Sequence, residues 1–136
     1  MSWWKRLLLS LASALVAEAL IGTILTLVRH DAPNSLLGSV LGLSIFVIPG
    51  WVLSLPIVLA FDRTDGWRFW VLAICGLTIG PLIIAAWAYA CKVSEGSAMK
   101  DFLYMGAIAT GISIVATTIY LTIFRSTARR GIQPTT

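Results

Sequence analysis

Four long apolar stretches divide this chain, broken by three short polar segments. The uninterrupted runs predict helices over about Leu7–Val28, Leu36–Phe61, Arg68–Cys91 and Phe102–Phe124. Each run approaches or exceeds the roughly 20 residues needed to cross about 30 Å of hydrocarbon, so each reads as a transmembrane helix. The segments between them carry the residues that end helices. Arg29 to Ser35 holds charges, Pro33 and the cap candidates Asn34 and Ser35; Asp62 to Gly66 is a turn; Lys92 to Asp101 contains Ser94, Gly96 and Ser97. Asp101 stands just before the fourth run, where a carboxylate would meet the positive end of a helix dipole. Connections this short imply antiparallel neighbours, and therefore one up-down-up-down bundle over residues 1–124. Residues 125–136 are expected to form a disordered basic tail, and no repeat period is visible.

Composition agrees with this class. The chain is 58% hydrophobic and 12% charged, too apolar for a water-soluble domain of 136 residues. Its few charges are unevenly placed. Lys5, Arg6, Arg63, Arg68, Arg125, Arg129 and Arg130 fall on one side of the bundle, whereas Arg29, Lys92 and Lys100 fall on the other. By the positive-inside rule both termini are cytoplasmic, which fits a cell (inner) membrane. Trp3, Trp4, Trp67, Trp70 and Phe124 would anchor one interface, and Trp87, Tyr89 and Tyr104 the other. The net charge of +4 expresses this bias, and no nucleic-acid partner is implied. Lys5-Arg6 followed by apolar residues and Ala17-Glu18-Ala19 imitates a signal-peptide cleavage site, but the run continues to Val28 and is expected to be a retained helix.

Little of the remaining chemistry suggests an enzyme. Cys75 and Cys91 are separated by about 24 Å along one helix and cannot pair with each other, so both are expected to be buried thiols. His30 stands alone beside Asp31 at the outer end of the first helix. No metal-ligand set, cofactor motif, nucleophile–base pair or phosphate loop is present in the sequence.

The unusual feature is Glu18, a carboxyl near the middle of the first apolar run. An acidic residue at that depth costs about 2.5 to 3.5 kcal/mol on insertion scales, and such a residue is a functional-site hypothesis. Pro49-Gly50, Gly80-Pro81 and Ser113 with Thr117 fall at the same depth in the other three runs. Proline removes one helical hydrogen bond, so Pro49, Pro56 and Pro81 would free the carbonyls of Ile45, Val52 and Leu77. Freed carbonyls beside a carboxyl suggest an ion or cation site, to which Trp51 would add an aromatic face. No Lys, Arg or His lies within the apolar part of any run. Glu18 is therefore either neutral and hydrogen-bonded, to Ser113, Thr110 or a freed carbonyl, or charged only when a cation or a partner's cationic side chain arrives.

Small residues also recur at helical spacing. Ser10, Ala14, Glu18, Gly22 and Thr26 form a stripe down the first helix; Gly38 with Gly42, Gly76 with Gly80, and Ala109 with Ser113 and Thr117 repeat the pattern. These faces let helices approach closely. Ala17-Glu18 followed by Gly22-Thr23, in the first of four short helices, resembles the first helix of small multidrug resistance exporters. That resemblance implies proton-for-organic-cation exchange at Glu18. It covers about ten residues of 136, and the glycine falls four residues after the glutamate where that family places it three after. The third helix lacks the family's Tyr and Gly-rich pattern, and the charge bias implies one orientation rather than a dual-topology dimer.

Two functions follow as expectations. The first is a non-enzymatic accessory or anchoring subunit of a membrane complex, acting through helix association with a membrane partner or a second copy. The other is a proton-coupled carrier of small cations using Glu18. A subunit would turn the polar stripe outward to a partner, whereas a carrier would enclose Glu18 in a water-accessible cavity.

Overall fold

The structure, a computed structural model, describes residues 2–29, 34–62, 66–92 and 97–131. These form four α-helices: α1 (Trp3–Val28), α2 (Asn34–Ala60), α3 (Trp67–Ala90) and α4 (Ser97–Arg130). All four are long and apolar enough to cross a membrane, and no strand occurs among the described residues. His30, one of the residues singled out above, lies outside the described residues.

Three boundaries differ from the sequence reading by four residues or more. α1 begins at Trp3, because Lys5 and Arg6 lengthen a helix that hydropathy alone starts at Leu7. α4 begins at Ser97, which places Asp101 inside the helix and exposed, not ahead of its first turn. At its other end α4 runs through Arg130, so residues 125–130 are helical rather than a disordered tail. With 34 residues, α4 extends about 51 Å, well beyond the roughly 30 Å of hydrocarbon.

The helices are arranged as a ring in which α1 meets α2, α2 meets α3, α3 meets α4 and α4 returns to α1. The α3–α4 seam is the tightest and the α2–α3 seam the loosest. Glycine explains the first. A Cβ at Gly76 would collide with the Thr117 side chain, and one at Gly80 with the Ala109 carbonyl and the Ser113 hydroxyl. Close backbone approach of this kind substitutes for the hydrophobic effect, which cannot drive helices together in lipid. Gly38 and Gly42 behave oppositely. Both are exposed and have no neighbour within 4 Å of a built Cβ, so they serve no contact within the bundle.

Two buried clusters stack along the ring. One joins Val58, Leu72, Tyr120 and Leu121; the other joins Ala17, Leu43 and Ile112. Phe124, expected at an interface, is 2% exposed and stacks on Tyr120 with ring centroids 5.7 Å apart. It is a core residue because α4 continues past it. The other anchors, Trp3, Trp4, Trp67, Trp70, Trp87, Tyr89 and Tyr104, are exposed. Cys75 is half-buried and Cys91 exposed, so only the former approaches the buried thiol expected of both.

Candidate functional site

The stripe on α1 faces the interior. Ser10, Glu18, Gly22 and Thr26 are buried and Ala14 is half-buried, so these residues are consumed inside the bundle. Glu18 is 1% exposed, and Ser44 on α2 donates its hydroxyl to Glu18 Oε1 at 2.6 Å. The partner is thus neither Ser113 nor Thr110. Thr110 donates to the Gly106 carbonyl one turn back, and Ser113 packs at Gly80. Ser44 escaped the sequence reading because a serine in an apolar run signals nothing by itself; its position one turn before Ile48-Pro49 gave no reason to pair it with Glu18.

A buried arginine lies near the N-terminal end of α1. Arg6 is 8% exposed and its Nη1 donates to three carbonyls at the end of α2: Val58 at 3.2 Å, Leu59 at 3.1 Å and Phe61 at 2.8 Å. The last carbonyls of any helix lack partners within it, and a cation there also opposes the negative end of the dipole. Arg6 therefore closes the end of α2 as well as contributing to the charge bias. Its spacing carried the signal, since Arg6, Ser10, Ser13 and Ala17 fall on one helical face and all are buried.

Between the levels of Arg6 and Glu18, a slot runs down the centre of the ring. All four helices line it, among them Ser10, Ser13 and Ala14 of α1, Phe46, Gly50 and Trp51 of α2, Cys75, Gly76 and Ile79 of α3, and Met105, Ala116 and Tyr120 of α4. Its volume is about 130 Å³. On α4 the lining extends from Met105 to Tyr120, a length of about 22 Å at 1.5 Å per residue. The slot exists because the ring keeps diagonal helices apart while the small residues Ala14 and Ala116 on its walls reach little way into the centre.

Apolar side chains dominate the walls, and the hydroxyls of Ser10, Ser13 and Ser54 are engaged. Trp51 Nε1 donates to Ser10 Oγ at 3.0 Å, Ser10 in turn donates to the Leu7 carbonyl at 2.8 Å, and Ser13 donates to the Leu9 carbonyl at 2.7 Å. Ser54 donates to the Trp51 carbonyl at 2.6 Å. Such back-bonding hides polar atoms from hydrocarbon. The buried hydroxyl of Tyr120 has no partner, and neither does the buried Nε of Arg6.

The midplane residues singled out in the sequence are only partly gathered here. Gly50, Trp51, Gly80, Ser113 and Thr117 line the slot, and Gly76 joins them. Glu18 does not line it, although its helical neighbour Ala14 does. Pro49 is half-buried in α2 and Pro81 is exposed on α3, so the two prolines do not face a common centre. At the C-terminal end of α1, Arg29 donates to the Tyr104 hydroxyl at 3.0 Å and lies 5.4 Å from that ring's centroid. No protein-family model, curated protein or solved structure matches this chain, so no relative assigns a role to the slot, to Arg6 or to Glu18.

Proposed function

We propose that this is a non-enzymatic multi-pass protein of the cell (inner) membrane whose working part is the central slot, which binds a small molecule that dissolves in the bilayer. The observation that carries this reading is an unfilled, mainly apolar space of about 130 Å³ walled by all four helices. Core packing normally leaves few voids larger than a water molecule. A dry apolar cavity of about 150 Å³ holds a molecule the size of benzene, so this slot accommodates a short apolar or amphiphilic guest. The α2–α3 seam, the loosest in the ring, gives such a guest a lateral route from the lipid.

The pairings support the up-down-up-down arrangement. Arg6 meets Phe61, Ser10 meets Trp51 and Glu18 meets Ser44, a descending order along α2 as α1 ascends. The Lys and Arg distribution supports cytoplasmic termini. Glu18 in this reading is a structural link at the outer end of the slot, not a cation ligand, since it is enclosed against Ser44 and lies off the lining.

A photoreactive short alkyl diazirine, added to the protein in nanodiscs, tests the reading. Crosslinks should map to slot residues such as Ile79, Met105 and Ala116, and Ala116→Phe should abolish them while leaving the bundle folded. Labelling confined to lipid-facing residues would refute it. One observation favours a second reading, the accessory subunit: Gly38 and Gly42 leave an open small-residue face on α2 for another helix. Gly42→Leu would then remove a copurifying membrane protein or a self-association that the wild type shows.

A further inference from the structure

The last turns of α4 carry charge of one sign to the depth of the lipid head groups. The apolar run of α4 ends at Phe124 and the helix continues through Arg130, which adds about 9 Å at 1.5 Å per residue. That is close to the roughly 5 to 8 Å of polar layer on each side of the hydrocarbon. Thr118, Thr122, Arg125 and Arg129 recur at i, i+4, i+7 and i+11 and so share one face of the helix. Together with Phe69 at the start of α3, this face lines an open groove of about 610 Å³ that shares no residue with the central slot. Ligand sites span roughly 300 to 1,000 Å³, so the groove is large enough for one. Arg125 lies over the Phe69 ring at 5.6 Å from its centroid, which holds one guanidinium at the wall. Trp67 and Trp70, on either side of Phe69 in sequence, are each 66% exposed, as befits side chains at a membrane–water interface. No carboxylate lines the groove, and among the described residues neither Arg129 nor Arg130 has an ion pair or a side-chain hydrogen bond. Asp62, the carboxylate described at this end of the bundle, faces Arg68 instead, at 3.7 Å. Thr118 and Ser126 turn their hydroxyl protons to the carbonyls of Ile114 and Ile123. The donors left to a ligand are therefore the three guanidinium groups and the Thr122 hydroxyl. The negative end of the α4 dipole offsets about half an elementary charge, far less than three arginines supply. Deeper than Arg125 the lining carries no charge.

We infer that this groove binds an anionic phospholipid of the leaflet nearest the end of α4. The phosphate head lies among Arg125, Arg129 and Arg130, and an acyl chain runs past Leu121 and Thr118 into the hydrocarbon. Guanidinium groups match phosphate oxygens in pairs of parallel hydrogen bonds, and basic pockets beside transmembrane helices hold anionic head groups by this means. A zwitterionic lipid offers the same phosphate but brings its own cation against the arginines. A small soluble phosphate would satisfy the arginines and leave the uncharged lower groove empty.

The full-length protein in phosphatidylcholine nanodiscs, doped with phosphatidylglycerol that carries a diazirine near the top of one acyl chain, tests the assignment. Crosslinks in the wild type should map to Phe69, Leu121 and Thr122. Unlabelled phosphatidylglycerol should displace the probe about tenfold better than added phosphatidylcholine. Arg125→Gln, Arg129→Gln and Arg130→Gln should each lower labelling about fivefold, whereas Lys5→Gln, which removes an exposed charge on α1, should change it by less than about twofold. Crosslinks spread evenly around the bundle, equal displacement by phosphatidylcholine, or arginine variants that label like the wild type would overturn the site. Displacement by glycerol 3-phosphate or by an acidic peptide as effective as that by the lipid would overturn the lipid assignment and make the groove a site for a soluble anion.

Discussion

Ser44 donates its hydroxyl to Glu18 Oε1 at 2.6 Å, tying the middle of α1 to the middle of α2 through the most buried ionisable side chain described. On the proposed reading this carboxyl is a packing element with one polar contact, to Ser44. Glu18→Gln retains a carbonyl oxygen for Ser44 and nearly the same volume, so the substitution should alter unfolding free energy by less than about 1 kcal/mol. Glu18→Ala loses both the contact and the volume and should cost about 2 to 4 kcal/mol. Thermal or steric-trap unfolding in nanodiscs measures both. A Gln variant as damaged as the Ala variant would mean that the charge itself is required.

Arg6 gives a separable prediction at the other end. Its Nη1 serves three carbonyls at once, and a methionine there leaves all of them unserved at a helix end. Arg6→Met should destabilise the bundle by about 2 to 4 kcal/mol, and Arg6→Lys should recover only part of this because an ammonium lacks the planar fork. Hydrogen exchange should show the last turn of α2 opening first in both variants. Unchanged exchange at Leu59 and Phe61 would show that the cap is dispensable.

The glycines divide into two groups with opposite expectations. Gly76→Ala and Gly80→Ala force α3 and α4 apart, the second against a backbone carbonyl that cannot rotate away, and each should cost about 1 to 3 kcal/mol. Gly38→Ala and Gly42→Ala meet nothing within the bundle. Removing glycine flexibility there should be neutral or stabilising by up to about 1 kcal/mol. Comparing melting temperatures of the four variants decides the matter, and equal losses at all four positions would contradict the packing described.

The existence and approximate extent of the helices were legible because hydrocarbon demands long unbroken apolar runs, a one-dimensional constraint. Their ends were less so. Hydropathy reports solubility in lipid, whereas α4 continues through the polar residues Arg125 to Arg130, with Arg125 over the Phe69 ring and Ser126 and Thr127 donating to the Ile123 carbonyl. The depth of Glu18 was readable, but its partner was not, because helical spacing gives the face on one helix and says nothing of the register between two. The same limit hid the role of Arg6 and the slot, both of which depend on which faces meet across the ring. Pro49 and Pro81, matched in depth, point differently for that reason.

Orientation yields a prediction independent of packing. A reporter active only in the cytoplasm should work when fused after Arg130 and fail when inserted between α3 and α4. The reverse result would place Arg6 and the Tyr120 end of the slot on the outer side of the membrane.

The central claim, an open apolar slot within the ring, is tested most directly by xenon-pressurised crystals of the protein, since xenon occupies dry apolar cavities. Anomalous density is predicted between Trp51, Gly76 and Ala116, and it should vanish in Ala116→Phe. Helices closed together at that level, with xenon found only on lipid-facing surfaces, would contradict the account.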